Sequence, residues 1–344
     1  MAEKETEINE LGEFGLIDRL TKDFPLRNTQ SKLGVGDDAA VLEFGEKDVL
    51  VTTDLLLEGV HFDLRYVPLK HLGYKSAIVN FSDIYAMNGT PRQITVSIGV
   101  SSRFTVEHID ALYSGIRLAC EIYGVDLVGG DTSASVTGLV ISITCIGEVN
   151  KGEEVRRSGA KPTDVVCVSG DLGAAFMGLQ LLERENSVAA GQKDFQPDFS
   201  GKEYLLERQL KPEARKDIVE ELRKAGVRPT SMIDVSDGLS SEVLHICKAS
   251  DVGMRIYEDK LPIDYQTALM AEEFNMNLVT AAMNGGEDYE LLFTVPLTDH
   301  EKIEKMPGVK MIGYVTKPEL GAALVTRDGN EIPIKAQGWN AFKA

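Results

Sequence analysis

The stretch "GVGDDAAV" (residues 34–41) sets Asp37 and Asp38 side by side after two glycines and just ahead of an apolar run. The same context returns along the chain. Asp54 ends the strand-like "DVLVTTD" (48–54), Asp83 lies inside the mostly apolar "IVNFSDIYAM" (78–87), and Asp131 follows "VDLVGG" (125–130). Asp234 and Asp237 share "MIDVSDGLS" (232–240). One aspartate at a strand end is ordinarily a helix cap or an Asx turn. Recurrence changes the reading, because an unpaired carboxylate near a core is costly and basic partners are scarce nearby. Carboxylates beside hydroxyls, here Thr52, Thr53, Ser82 and Ser236, are the hard oxygen donors that magnesium or calcium takes. A shared divalent-metal site is therefore expected. Acids held together by such ions form a phosphate-binding device, which points to nucleotide chemistry.

Outward from these acids, the chain alternates strands and helices. "RQITVSIGV" (92–100), residues 125–130 and "GLVISITCIGEV" (138–149) read as further strands. Val106, Ile109, Tyr113, Ile116, Cys120 and Tyr123 recur at helical spacing and predict an amphipathic helix over 104–123; a second is expected over 71–89. Gly, Pro and charge interrupt the apolar pattern at 149–164, which reads as a domain junction. Beyond it the sequence predicts a strand "VVCVSG" (165–170), helices near 172–184, 212–225 and 238–250, and strands near 252, 290 and 311. Residues 186–201 read as a loop excursion.

Composition narrows the function. The 344 residues are 43% apolar, enough for a sizeable core, and the formal net charge is −18 without a Lys/Arg-rich stretch, so no nucleic-acid footprint is present. Nothing in the polar stretch "MAEKETEINE" resembles a signal peptide, no apolar run approaches the length of a membrane span, and the chain is expected to be cytoplasmic. Cys120, Cys145, Cys167 and Cys247 are scattered among apolar neighbours and are expected as buried free thiols. Neither a "GxxxxGK[ST]" loop nor a "GxGxxG" fingerprint occurs, so an ATP site here belongs to neither common class.

Taken together, "GVGDDAAV", "VTTDLLLEGVHF", "HLGYKSAIVNFSDIYAMNGTP", "LVGGDTS", "RRSGAKPTD", "MIDVSDGLSSE" and "GGEDYELLF" closely resemble the thiamine-monophosphate kinase family, in order and spacing, from about residue 13 to the C-terminus. That family belongs to the PurM-like superfamily of aminoimidazole ribonucleotide synthetase. The resemblance implies a two-domain α/β and α+β fold. Residues 1–150 would form a mixed-sheet magnesium- and ATP-binding domain that makes a homodimer through its sheet, and 151–344 an α+β domain completing the active site. It implies ATP-dependent phosphorylation of thiamine monophosphate to thiamine diphosphate, assisted by several Mg2+ ions.

Residue by residue, Asp37, Thr52, Thr53, Asp54, Asp83, Asp131, Asp234 and Asp237 match the family's magnesium positions, with Asp38 left to orient the turn or a water beyond the metal ligands. Tyr113, Gly130, Arg157 and Ser236 match its ATP contacts, and His61, Glu287 and Trp339 its thiamine-phosphate contacts. Glu287 could face either the cationic thiazolium ring or the aminopyrimidine. Tyr113 also falls on the apolar stripe of its helix and could be core. The acceptor is a phosphate oxygen, and a phosphomonoester with a second pKa of about 6 is mostly dianionic at neutral pH, so no general base is expected. The rival readings are a non-catalytic ATP or divalent-metal sensor, and another superfamily enzyme with a different acceptor. Selenophosphate synthetase would carry a reactive Cys near the N-terminus, whereas the first Cys here is Cys120.

Overall fold

A computed structural model of the chain describes residues 31–33, 36–190 and 199–337. Two sheets organise it. The first half runs β1 (Ser31–Leu33), β2 (Ala40–Phe44), β3 (Lys47–Leu57), α1 (Leu69–Ala86), β4 (Thr90–Val100), α2 (Val106–Tyr123), β5 (Asp126–Ala134) and β6 (Val140–Asn150). These strands form a six-stranded sheet in the order β1-β2-β3-β6-β4-β5, antiparallel except for the parallel β4–β5 pair. Alternation along β3 sends Leu50, Thr52 and Leu56 inward under α1 and leaves Thr53 and Leu55 on the outer face.

The helices lie on the inner face, and two glycines set how closely they cross. A Cβ on Gly73 of α1 would fall 1.9 Å from the carbonyl oxygen of Leu112 in α2, and one on Gly115 of α2 would fall 1.9 Å from that of Lys70. Only hydrogen fits at either point. α2 is entered through Thr105, whose N–H lies 3.1 Å from His108 Nδ1, and left through Gly124 at φ 70°.

In the second half follow β7 (Val165–Ser169), α3 (Ala174–Ala190), α4 (Glu203–Leu210), α5 (Lys216–Lys224), β8 (Ser231–Asp234), α6 (Leu239–Ser250) and β9 (Gly253–Tyr257). They are succeeded by α7 (Tyr265–Glu273), α8 (Leu278–Asn284), β10 (Leu291–Val295), α9 (His300–Glu304), β11 (Val309–Thr316), β12 (Ala322–Val325) and β13 (Glu331–Pro333). The seven-stranded sheet has the order β13-β12-β9-β11-β7-β10-β8. Its strands β7 and β10 are buried along their whole length, which is why they are almost wholly apolar, with only Ser169 and Thr294 polar.

The halves share one core. Phe81, Ile84 and Ile94 of the first belong to the same buried cluster as Ile218, Leu222, Met232 and Phe293 of the second. The expected α/β and α+β organisation is present, and the predicted strands and helices recur within a few residues. One expectation is corrected: the loop placed at 186–201 begins too early, because α3 continues through Val188 and Ala189 to Ala190. Trp339 lies outside the described residues. The cysteines are free, with Cys145 and Cys167 buried and Cys120 and Cys247 partly so. No described helix is long and apolar enough to cross a membrane.

Candidate active site

Three carboxylates, those of Asp38, Asp83 and Asp234, converge with oxygens all within 4.8 Å of one another. Each arrives on a different element: Asp38 just before β2, Asp83 inside α1 and Asp234 at the end of β8. Thr52, the inward neighbour on β3, donates from Oγ1 to Asp83 Oδ2 at 2.5 Å, and Ser82 donates to Asp234 Oδ2 at 2.6 Å. Asp54 adds a fourth acid on the same face of β3. Its Oδ2 is buried without a hydrogen-bond partner.

Crowding of like charge in a buried site shows in the acids. Burial, reinforced by Asp54, Asp234 and Asp38, holds the Asp83 carboxyl well above the usual range. Burial and then Asp38 push Asp234 up to about 8, and burial pushes Asp54 up to about 6. Among the described residues, one cation, Arg157, touches the group. Its Nη2 donates to Asp38 Oδ1 at 2.7 Å and its Nε to Asp38 Oδ2 at 3.2 Å.

The structure reverses the roles read into the Asp37–Asp38 pair. Asp38, expected to orient the turn, joins the carboxylate cluster. The Asp37 carboxylate instead accepts the backbone N–H groups of Asp38 (3.0 Å) and Arg157 (3.1 Å), and burial pushes it up to about 7. Adjacent side chains diverge, and the turn decides which one points inward. Thr53 is turned away from the acids by the alternation of β3: its hydroxyl lies on the outer face and donates to the Ile143 carbonyl at 3.1 Å. Asp131 sits on exposed β5, where its Oδ1 accepts from the Thr132 N–H at 2.9 Å, and is not one of the converging trio. Asp237 opens the turn into α6, its N–H donating to Glu242 Oε1 at 2.9 Å. Glu242 went unnoticed in the sequence because it reads as one more helical surface acid, yet burial, with Asp237 beside it, holds its carboxyl far above the normal range.

A cavity of about 670 Å³ is lined by residues of β3, α1, α3, α4 and the Glu287 turn. Leu56, Phe62, Tyr66, Leu72 and Leu179 give it apolar walls; His61, Lys75, Gln209 and Glu287 give it polar ones. Two backbone links tie its walls to the acids: Leu56 follows Asp54 on β3 by two residues, and the Glu287 N–H donates to the carbonyl of Ser236, two residues after Asp234, at 2.6 Å. His61 Nδ1 accepts from the Leu57 N–H at 3.0 Å, so the neutral ring carries its proton on Nε2, and burial lowers its pKa. Glu287 is held at φ 58° in the "GGEDYE" turn.

Two further expected residues lie along α2 and β5. Tyr113 is half-buried against the core and lines a groove of about 750 Å³ with Asp110, Arg117 and Asp126, so it serves packing and groove together. Gly130 is needed by close approach: a Cβ there would stand 1.9 Å from the Val96 carbonyl oxygen on β4.

Models of the N-terminal and C-terminal domains of AIR synthase related proteins match residues 36–149 and 161–323. Thiamine-monophosphate kinase of Aquifex aeolicus is 35% identical over 321 residues, covering 91% of this chain and 98% of that protein. The Bacillus subtilis enzyme of the same name is 35% identical over 344 residues, covering 97% and 100%. The chain belongs to the thiamine-monophosphate kinase family. Among solved structures, AaThiL complexed with AMPPCP and TMP superposes with a TM-score of 0.83 at 34% identity, covering 98% of this chain and 99% of that one.

Within this family member, the donor set fits a hard divalent cation. It is made only of carboxylate and hydroxyl oxygens, it contains the orphaned Asp54 Oδ2, and it sets four acids against the single guanidinium of Arg157. Asp38, Asp54, Asp83 and Asp234, with Thr52 beside them, are the residues placed to hold such an ion.

Proposed function

We propose that the protein phosphorylates thiamine monophosphate with ATP, giving thiamine diphosphate and ADP, with magnesium held by Asp38, Asp54, Asp83 and Asp234. The observation that carries this reading is the convergence of the Asp38, Asp83 and Asp234 carboxylates, with the partnerless Asp54 Oδ2 on β3 two residues before Leu56, which lines a half-apolar cavity of about 670 Å³. Near-full-length identity to kinases of that name supports the reaction class.

A dianionic phosphate needs no base, so the site's task is to bring two polyanions together and align them. Magnesium, when bound, supplies the positive charge that screens this repulsion and offsets charge on the leaving ADP. The carboxylates of α1, β3 and β8 fix the place of that charge from three rigid elements. The cavity walls seat the organic part of the acceptor and exclude water, while the Glu287 turn and His61 give it orientation. Arg157, with a planar fork of donors, is suited to phosphate oxygens once Asp38 has another partner. Ser236, Tyr113 and Gly130 remain candidates for the nucleotide side, and Asp131 and Asp237 for further metal contacts. The phosphoryl group passes directly to the acceptor oxygen in line with the leaving ADP, without a phosphoenzyme.

We also read the chain as a cytoplasmic homodimer. The exposed edge strand β5, with Leu127 and Val128 open to solvent, and the outward Leu55 of β3 offer a pairing face, and four unpaired cysteines suit a reducing compartment.

The test is product analysis with purified protein, ATP, magnesium and thiamine monophosphate, with a chelator control and thiamine as alternative acceptor. Magnesium-dependent thiamine diphosphate with equimolar ADP is expected. ATP binding without product would turn the reading towards a sensor or another acceptor.

A further inference from the structure

Glu287 does not stand in the cavity as a free anion. Lys75 Nζ lies 2.8 Å from its Oε1, and Gln209 Nε2 donates to its Oε2 at 2.8 Å. Lys75 is itself unusual: a lysine in the buried middle of α1, its side chain only 9% exposed, whose Nζ also donates to the Gln209 carbonyl at 3.1 Å. A charge in such a place is retained by a specific partner or a specific task. The Glu287 side chain keeps about a third of its surface open, at 32%. The ion pair is therefore closed on the Lys75 side and open on the cavity side.

This arrangement decides between two ways of meeting thiamine monophosphate. The thiazolium ring is a delocalised cation without an N–H donor and would be drawn by net negative charge. Lys75 offsets that charge, so the pair attracts a cation weakly. It offers direction instead. A carboxylate has about four lone-pair sites, two of them here occupied, and the rest accept hydrogen bonds from whatever faces them. The aminopyrimidine ring carries such a donor in its 4-amino group. We infer that Lys75 is a positioning and specificity-determining residue: it holds Glu287 as a fixed acceptor that reads the 4-amino group of the acceptor's pyrimidine and rejects a ring bearing a 4-oxo group there. This rests on the reading that the cavity takes thiamine monophosphate. An oxo oxygen facing the acceptor pair would leave both sides without a proton, the situation in which hydrogen-bonding sites discriminate most strongly.

The experiment compares thiamine monophosphate with its 4-oxo analogue, oxythiamine monophosphate, as acceptors for the wild-type protein, Lys75→Met, Lys75→Arg and Glu287→Gln. Wild type should favour the amino acceptor in kcat/KM by at least about 100-fold. Lys75→Met removes one of the two donors that fix the Glu287 carboxylate and leaves it free to turn from the ring. Its KM for thiamine monophosphate should rise about 10-fold with kcat changed less than about threefold, and its preference for the amino acceptor should shrink at least about 10-fold. Lys75→Arg should recover part of the preference, which a loss of packing alone would not predict.

Glu287→Gln, nearly isosteric and carrying both a donor and an acceptor, should bring the two acceptors within about fivefold of each other. It decides the matter if Lys75→Met fails to fold. An amino-over-oxo preference unchanged from wild type in folded Lys75→Met or in Glu287→Gln would overturn the inference while leaving the kinase reading intact. A wild-type protein that makes no product from thiamine monophosphate would remove the kinase reading, and this inference with it.

Discussion

Arg157 grips Asp38 with two donors, Nη2 at 2.7 Å from Oδ1 and Nε at 3.2 Å from Oδ2, and the pair is buried, with side-chain exposures of 19% and 1%. The guanidinium thus stands as the cluster's resident positive charge. Removing one partner of a buried pair strands the other, at a cost of about 3–5 kcal/mol. Arg157→Met is expected to lower the thermal midpoint in chelator, and magnesium should restore more stability to this variant than to wild type. Calorimetry with and without magnesium checks this. Equal magnesium gains in both proteins would separate Arg157 from the metal-holding acids.

Asp54 and Asp234 carry the metal assignment. Asp54→Asn and Asp234→Asn should each lower turnover about 100-fold or more at limiting magnesium. The metal-free melting temperature should hold or rise, since one repelling carboxylate has gone. Near wild-type turnover in either variant at limiting magnesium would remove that residue from the site.

The raised acids also set how stability follows pH. Asp54 near about 6 and Asp234 near about 8 hold protons that the unfolded chain, with ordinary carboxylates near about 4, would release. Their contribution is therefore present in full at acid pH and declines as pH rises from about 4 to about 8, opposite to an ion-paired aspartate. In chelator, the thermal midpoint should fall across that window, and Asp234→Asn should flatten the fall. A wild-type profile that rises from pH 5 to 8 in chelator would contradict these assignments.

Direct transfer makes a kinetic prediction. Incubation with γ-labelled ATP and magnesium, without acceptor, should leave no acid-stable or hydroxylamine-sensitive label on the protein. A stoichiometric labelled species would demonstrate a phosphoenzyme.

At the helix crossing, the usual rule for glycine inverts. Gly→Ala within a helix ordinarily gains about 1 kcal/mol. At Gly115 the added methyl meets the Lys70 carbonyl oxygen at 1.9 Å, so Gly115→Ala should instead lose about 1–3 kcal/mol in denaturant titration.

Much of this architecture was legible because local patterns were strong. The apolar stripe from Val106 to Tyr123 and the almost wholly apolar run at 165–169 announce a surface helix and a buried strand without tertiary information. Recurrent acids at strand ends announced a carboxylate cluster, which Asp83 and Asp234 join. What stayed hidden depends on direction. Which of Asp37 and Asp38 turns inward is settled by the backbone of the turn before β2, and no spacing rule reaches it. Thr53 was different, since the period of β3 already sent it away from Thr52 and Asp54. Lys75 also left a trace, as the one basic residue in "HLGYKSAIVNFSDIYAMNG" beyond its first residue, but its partner lies 212 positions further along the chain at Glu287.

The buried cluster that joins Phe81 and Ile94 to Leu222 and Phe293 bears on how the molecule can be inherited and handled. Neither sheet with its helices is a portable part. A fragment ending in the segment 151–164 would present to water the apolar side chains that now meet across the seam, and would be prone to aggregate. A graft of one half onto a foreign partner would have to rebuild that shared apolar seam, whereas exchanging side chains along the cavity leaves it in place.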